Sequence, residues 1–151
     1  VILGNHDGLM LNADRMDTIS PIIQALDNER ISFFPESGCF PFKNHPGFNW
    51  CVLSCFDTPN WKKARPKKGD VNVALYHGAI WGSHTDMDFM LEGEDSIDIF
   101  KGFDFAMLGD IHKRQSLDKE KRIKLSTEDQ RHIRSFFKDS SIENIIKDLK
   151  M

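Results

Sequence analysis

The chain has 151 residues, 40% of them apolar, with 12 Phe, 3 Trp and a net charge of −3. That suits one domain, or a large part of one, with a core of useful size. No apolar run approaches the length that spans a bilayer, which argues against a membrane-spanning role, and no secretory leader is visible.

In chain order, residues 1–3 form an apolar run that predicts a strand. The chain opens in that strand without Met, so its native start is expected upstream. Residues 13–28 predict a helix, because Met16, Ile19, Ile22, Ile23 and Leu26 recur at spacings of three and four. Pro21 either kinks that helix or marks a new first turn after Ser20. Residues 31–34 read as a short strand and 35–38 as a turn. Residues 49–56 are apolar on both faces and predict a strand buried on both sides. Residues 58–70, with two prolines and several lysines, predict a surface loop. A strand follows at 71–76, a polar excursion at 83–93, a short helix at 96–100 capped by Asp95 or Ser96, and a strand at 103–108. Strands alternating with helices place the chain in the α/β class.

Cys39, Cys51 and Cys55 are odd in number and fit no zinc spacing, so they are expected to be reduced, core or half-buried residues. The charge is unevenly spread. From Lys113 onward Lys and Arg exceed Asp and Glu by four; before it they fall short by seven. An acidic excess suits a cation site, because hard cations are held by oxygen. The basic stretch 113–124 fits either phosphate contact or a solvated hairpin.

The chemistry-bearing residues cluster in three turns. Gly4-Asn5-His6-Asp7 follows the first strand, His77-Gly78 follows the strand at 71–76, and Gly109-Asp110-Ile111-His112 follows the strand at 103–108. In open α/β sheets, sites gather at the carboxyl edge of the strands. Asn offers an amide oxygen to a hard cation, and His transfers protons near neutral pH. Taken singly, Asn5 is equally well a left-handed turn residue, His77 a satisfied core histidine and Asp110 a cap. Three such turns in one order point to a metal site.

These turns resemble the calcineurin-like metallophosphoesterases, whose pattern is DxH, GDxxD, GNH[DE], a lone His after a strand, then GHxH. The chain carries the last three elements, over roughly residues 1–123, and lacks the first two. Lys113-Arg114-Gln115 after His112 is most similar to the DNA-repair nuclease branch, the SbcD type. The resemblance implies the C-terminal portion of a four-layer αββα sandwich at residues 1–125. Residues 126–151 would be a short helical tail. It further implies a divalent-metal-dependent DNA exonuclease or endonuclease of recombination and repair. Two cations are expected in the complete protein, manganese foremost and magnesium as the alternative. Partners by resemblance are DNA and an SMC-like ATPase of the SbcC type, with a homodimer admitted and a cytoplasmic or nucleoid location. Other readings of the same fold are a metallophosphatase, a cyclic-nucleotide phosphodiesterase, or a non-catalytic module that binds DNA or a partner.

Carried over by motif position, Asn5, His77 and Asp110 would hold the second metal and His112 the first. Asp110 stands where the family usually has histidine. A carboxylate there hardens the site toward manganese or magnesium, or weakens it. His6 would protonate the leaving oxygen, and Asp7 would orient the His6 ring. Lys113 and Arg114 would meet substrate phosphates. Without DxH and GDxxD, most ligands of the first metal are missing, so the chain alone is expected to be inactive. His84, Asp86 and Asp88 read as a rim rather than a second metal cluster, and His45 and His132 as solvent-facing.

The tail departs from the family, which continues into a further strand after Ile123. Thr127 to Gln130 fits a capping box. Ile133, Phe136 and Phe137 then share one helix face, and a second helix opens at Ser141. Two such helices predict either the start of a DNA-binding module or a lid on the sandwich.

Overall fold

A computed structural model describes residues 1–9, 11, 15–93, 95–119 and 123–125, the last three by backbone alone. The two-helix tail expected at 126–151 lies outside the described residues.

The protein has an α/β fold built on one mixed five-stranded sheet, with strands in sequence order. β1 (Gly38–Pro41) pairs antiparallel with β2 (Phe48–Leu53). β3 (Val71–His77), β4 (Phe105–Gly109) and β5 (Ile123–Leu125) follow in parallel. β5 is a correction: a strand stands at Ile123–Leu125, where the sequence reading placed none.

β2 is apolar on both faces because both are covered: Cys51, Val52 and Leu53 are each almost wholly buried. One face joins a core with Ala74, Tyr76, Ile80, Phe100, Phe103 and Leu108. Phe48 and Val73 anchor the other, where Phe42, Trp50, Val71, Leu75, Phe105 and Met107 pack. Each fully buried side chain of this kind contributes about 1.5–3 kcal/mol. At the strands' starting edge two asparagines are buried, Asn49 and Asn72. Asn49 Nδ2 donates to Asp70 Oδ2 and Asn72 Oδ1, and Asn72 Nδ2 donates to the Lys67 and Asp70 carbonyls. Burial of these amides is tolerated because their polar atoms find partners.

Several expectations are corrected. The helix read over 13–28 is only α1, Ser20–Leu26. Pro21 stands in its first turn, where a missing N–H costs nothing, and Asp17 Oδ1 accepts from the Ile19 and Ser20 N–H groups just before it. α1 buries none of its residues, and Ile22 and Leu26 are exposed. The strands read at 1–3 and 31–34 reduce to one parallel bridge between Ile2 and Phe34. The loop at 58–70 contains a 3-10 helix, Thr58–Lys63, and tucks Trp61 edge-on against Tyr76. The helix at 96–100 is a 3-10 turn, Ile97–Phe100, whose Ser96 cap accepts from the Asp98 N–H. His45 is half-buried and stacked on Phe42 rather than solvent-facing.

The cysteines are corrected too. Cys39 and Cys51 stand directly opposite each other on β1 and β2 and form a disulfide; Cys55 is free. Spacing alone misses this pair, because the hairpin between them decides the register.

Candidate metal-binding edge of the sheet

β2, β3 and β4 run parallel, so their C-terminal ends share one edge. His77 is the last residue of β3 and pairs in register with Gly109, the last of β4. Asp110 therefore leaves the sheet beside His77. The Gly4–Asp7 turn arrives from outside the sheet, and the Leu3 carbonyl lies 4.0 Å from Cys55 Sγ, just past β2.

Three side chains meet there. His77 Nε2 lies 3.2 Å from Asn5 Oδ1 and 3.7 Å from Asp110 Oδ1. Asn5 Nδ2 donates to Asp110 Oδ1 at 3.4 Å. All three are partly exposed. The contacts cross long sequence separations, so the fold rather than local geometry assembles them.

Two glycines make room for the imidazole. A Cβ on Gly4 would sit 2.9 Å from His77 Cε1 and Nε2, and a Cβ on Gly109 would sit 2.8 Å from His77 Nδ1. The ring is thus held in a slot between two bare backbones. This explains the glycine in both turns. Asp110 adopts φ 86°, the left-handed region, which Asp tolerates better than most residues.

Asp7 is placed differently from its expected role. Its Oδ2 accepts from the Gly4 N–H at 2.7 Å, and its own N–H donates to the Gly4 carbonyl at 2.9 Å. The carboxylate closes the turn instead of orienting the His6 ring. His6 and His112 are exposed, and neither joins the contacts among Asn5, His77 and Asp110. Lys113 is engaged by Asp88, and its ammonium holds that carboxyl below the usual carboxylate range. Arg114 is exposed.

Cys55, expected from the sequence to be reduced and half-buried, is both. Its half-buried thiol sits near the site. Burial first, then the charges of Asp7 and Asp110, push its pKa up, so it stays protonated at neutral pH. Gly8 packs as closely on Phe56 as Gly4 does on His77, which ties the turn's far side to the segment after β2. Tyr76, one residue before His77, donates its buried hydroxyl to Asp95 Oδ2 at 2.8 Å. A Cβ on Gly78 would lie 2.5 Å from that hydroxyl, so glycine is needed there for the tyrosine.

The donor set can be tested against a hard divalent cation. Two atoms bound to one cation at about 2.0–2.2 Å lie no more than about 4.4 Å apart. The separations from His77 Nε2 to Asn5 Oδ1 and Asp110 Oδ1 satisfy that bound. A nitrogen, an amide oxygen and a carboxylate oxygen suit manganese. The set is incomplete, however. Among the described residues no group of three or more His, Cys, Asp or Glu is arranged to hold a metal ion.

No family model matches the sequence, and no solved structure matches it. The chain is similar to an uncharacterized protein of Acanthamoeba polyphaga mimivirus, 32% identical over 139 residues that cover 83% of this chain. It spans about a tenth of that relative's length, the match covering 10% of it.

Proposed function

We propose that this chain supplies one half of a dinuclear metallophosphoesterase centre, in a nuclease of the DNA-repair branch. The observation that carries the reading is the meeting of Asn5, His77 and Asp110 at one sheet edge, from three turns in the family's order. The fold would be the C-terminal part of the αββα sandwich, with the Ile2–Phe34 bridge belonging to its second sheet. Bound cations would clamp an in-line displacement at phosphorus and activate water. Asn5, His77 and Asp110 would hold the second cation, and His112 would reach the first. His6, exposed beside them, would give a proton to the leaving oxygen. Asp7 shapes the turn that presents Asn5 and His6. DNA as substrate, the SMC-like ATPase as partner, a homodimer and a nucleoid setting belong to the same proposal. The Cys39–Cys51 disulfide weighs against the last of these, because disulfides are uncommon in reducing compartments.

A non-catalytic role for the chain by itself is the second reading. The incomplete donor set among the described residues favours it. The two readings separate in a polypeptide that carries this chain together with DxH and GDxxD elements. Manganese-dependent cleavage of single-stranded or duplex DNA, well above hydrolysis of a phosphomonoester, supports the nuclease. There, His6→Ala is expected to lower turnover about 10²–10⁴-fold while calorimetric manganese affinity stays within about twofold. His77→Ala is expected to abolish one manganese equivalent in the same titration. Normal turnover of His6→Ala at saturating manganese, with metal binding lost, would reverse the assignment.

A further inference from the structure

Residues 83–91 leave the sheet after β3 and fold back on themselves. His84 bridges antiparallel to Met90, Thr85 N–H donates to the Phe89 carbonyl, and Leu91 N–H donates to the Ser83 carbonyl. The loop is polar at its tip and exposes Met87, Phe89 and Met90. An isolated two-stranded hairpin is marginal in water, so its position depends on what it is tied to.

One side chain ties it. Gln115 Oε1 accepts from the His84 N–H at 3.0 Å, and Gln115 Nε2 donates to the His84 carbonyl at 2.7 Å. The amide thereby takes up both backbone groups of His84, as a neighbouring strand would. Nε2 also lies within reach of the Lys113 carbonyl, at 3.3 Å. Lys113 adds a second link through its ion pair with Asp88. Gln115 and Lys113 belong to the segment that follows Asp110 and His112. The hairpin follows His77. Both segments leave the same edge of the sheet.

We infer that Gln115 is a positioning residue whose amide clasps residues 84–90 against the segment after β4, making that hairpin a fixed wall beside the His77–Asp110 edge. The wall role rests on the proposed function; the clasp does not. A wall touches the flanks of a long substrate, not the reacting phosphorus. It would therefore set affinity for polymeric DNA and leave the chemistry of a small phosphodiester alone. The hairpin carries Asp86 and Asp88 and no Lys or Arg, so it would confine the strand rather than bind its phosphates.

Two variants and two readouts test this. Gln115→Ala removes the clasp. Gln115→Glu keeps an acceptor for the His84 N–H but sets a carboxylate against the His84 carbonyl. In the 151-residue chain, backbone amide exchange at His84 and through 84–90 is expected to rise about tenfold or more in both variants, with protection in β2, β3 and β4 unchanged. Unchanged exchange at His84 would overturn the clasp. Loss of protection throughout the sheet would show that Gln115 holds the fold instead, and would also overturn it. In the polypeptide that completes the motif set, Gln115→Ala is expected to raise KM for DNA about tenfold with kcat within about twofold, and to leave hydrolysis of a nitrophenyl phosphodiester unchanged. Equal losses on both substrates would overturn the wall role. No hydrolysis by the unmodified polypeptide would refute the functional reading and the wall with it, while amide exchange still decides the clasp.

Discussion

Gly109→Ala tests the slot that holds His77. The backbone at Gly109 is not left-handed, so alanine is sterically allowed by its own φ and ψ. The new methyl would nevertheless meet His77 Nδ1 at 2.8 Å, with Cε1 and Cγ at 3.5 and 3.6 Å. Relief to ordinary contact needs a shift of about 0.6 Å in the ring. The ring's other flank is already against Gly4, where a Cβ would sit 2.9 Å away, so moving aside brings it onto that backbone. Overpacking of this kind costs about 1–3 kcal/mol, offset by up to about 1 kcal/mol from the lower entropy of the unfolded alanine chain. With a net cost of up to about 3 kcal/mol, at about 2–4 °C per kcal/mol for a chain of this size, the melting midpoint is expected to fall by up to roughly 12 °C. A double-mutant cycle isolates the cause. With the ring removed in His77→Ala, the same Gly109→Ala change is expected to be neutral or mildly stabilising, giving a coupling of about 1–3 kcal/mol. Calorimetric melting of the four proteins measures it. An equal penalty from Gly109→Ala in both backgrounds would refute the slot.

Tyr76 is the chain's single tyrosine, so tyrosinate absorbance reports it alone. Burial, then its hydrogen bond to the Asp95 carboxylate, push its pKa up, and the folded protein should resist ionisation well above the ordinary value near 10. The unfolded chain ionises first, so the stability from this group is complete below about pH 10 and is lost as pH rises beyond it. Tyr76→Phe should abolish that alkaline slope and cost about 1–3 kcal/mol at neutral pH by orphaning Asp95; a normal titration midpoint for Tyr76 would contradict the buried hydrogen bond. Alkylation of the native, unreduced chain should block one thiol, Cys55, and three after reduction and unfolding. Cleaving Cys39–Cys51, which are 12 residues apart, should lower the melting midpoint by about 6–12 °C. Three alkylated cysteines before reduction would show that the pair is not joined.

Much of the layout was legible in the sequence because it depends on local periodicity. The central strands 48–53, 71–77 and 105–109 are largely apolar runs, broken only by Asn49 and Asn72 and followed by turn residues. The three His-bearing turns were legible for the same reason, since each closes such a run. Whether their side chains meet is another matter. Asn5 and Asp110 stand 105 positions apart, and only the parallel register of β3 with β4 sets Asp110 beside His77. The disulfide waited on register too: Cys39 faces Cys51 because the β1–β2 turn aligns them, and no spacing rule encodes that turn. The helix at 13–28 shows the opposite failure. Its apolar spacing promised a covered face, but Pro21 in the first turn and the Asp17 contacts hold the start at Ser20, and the described residues leave Ile22 and Leu26 uncovered. Asp7 and Gln115 mark the final limit. Sequence names a carboxylate and an amide, each able to bond many partners; only the folded chain decides that one closes its own turn and the other takes the backbone of His84.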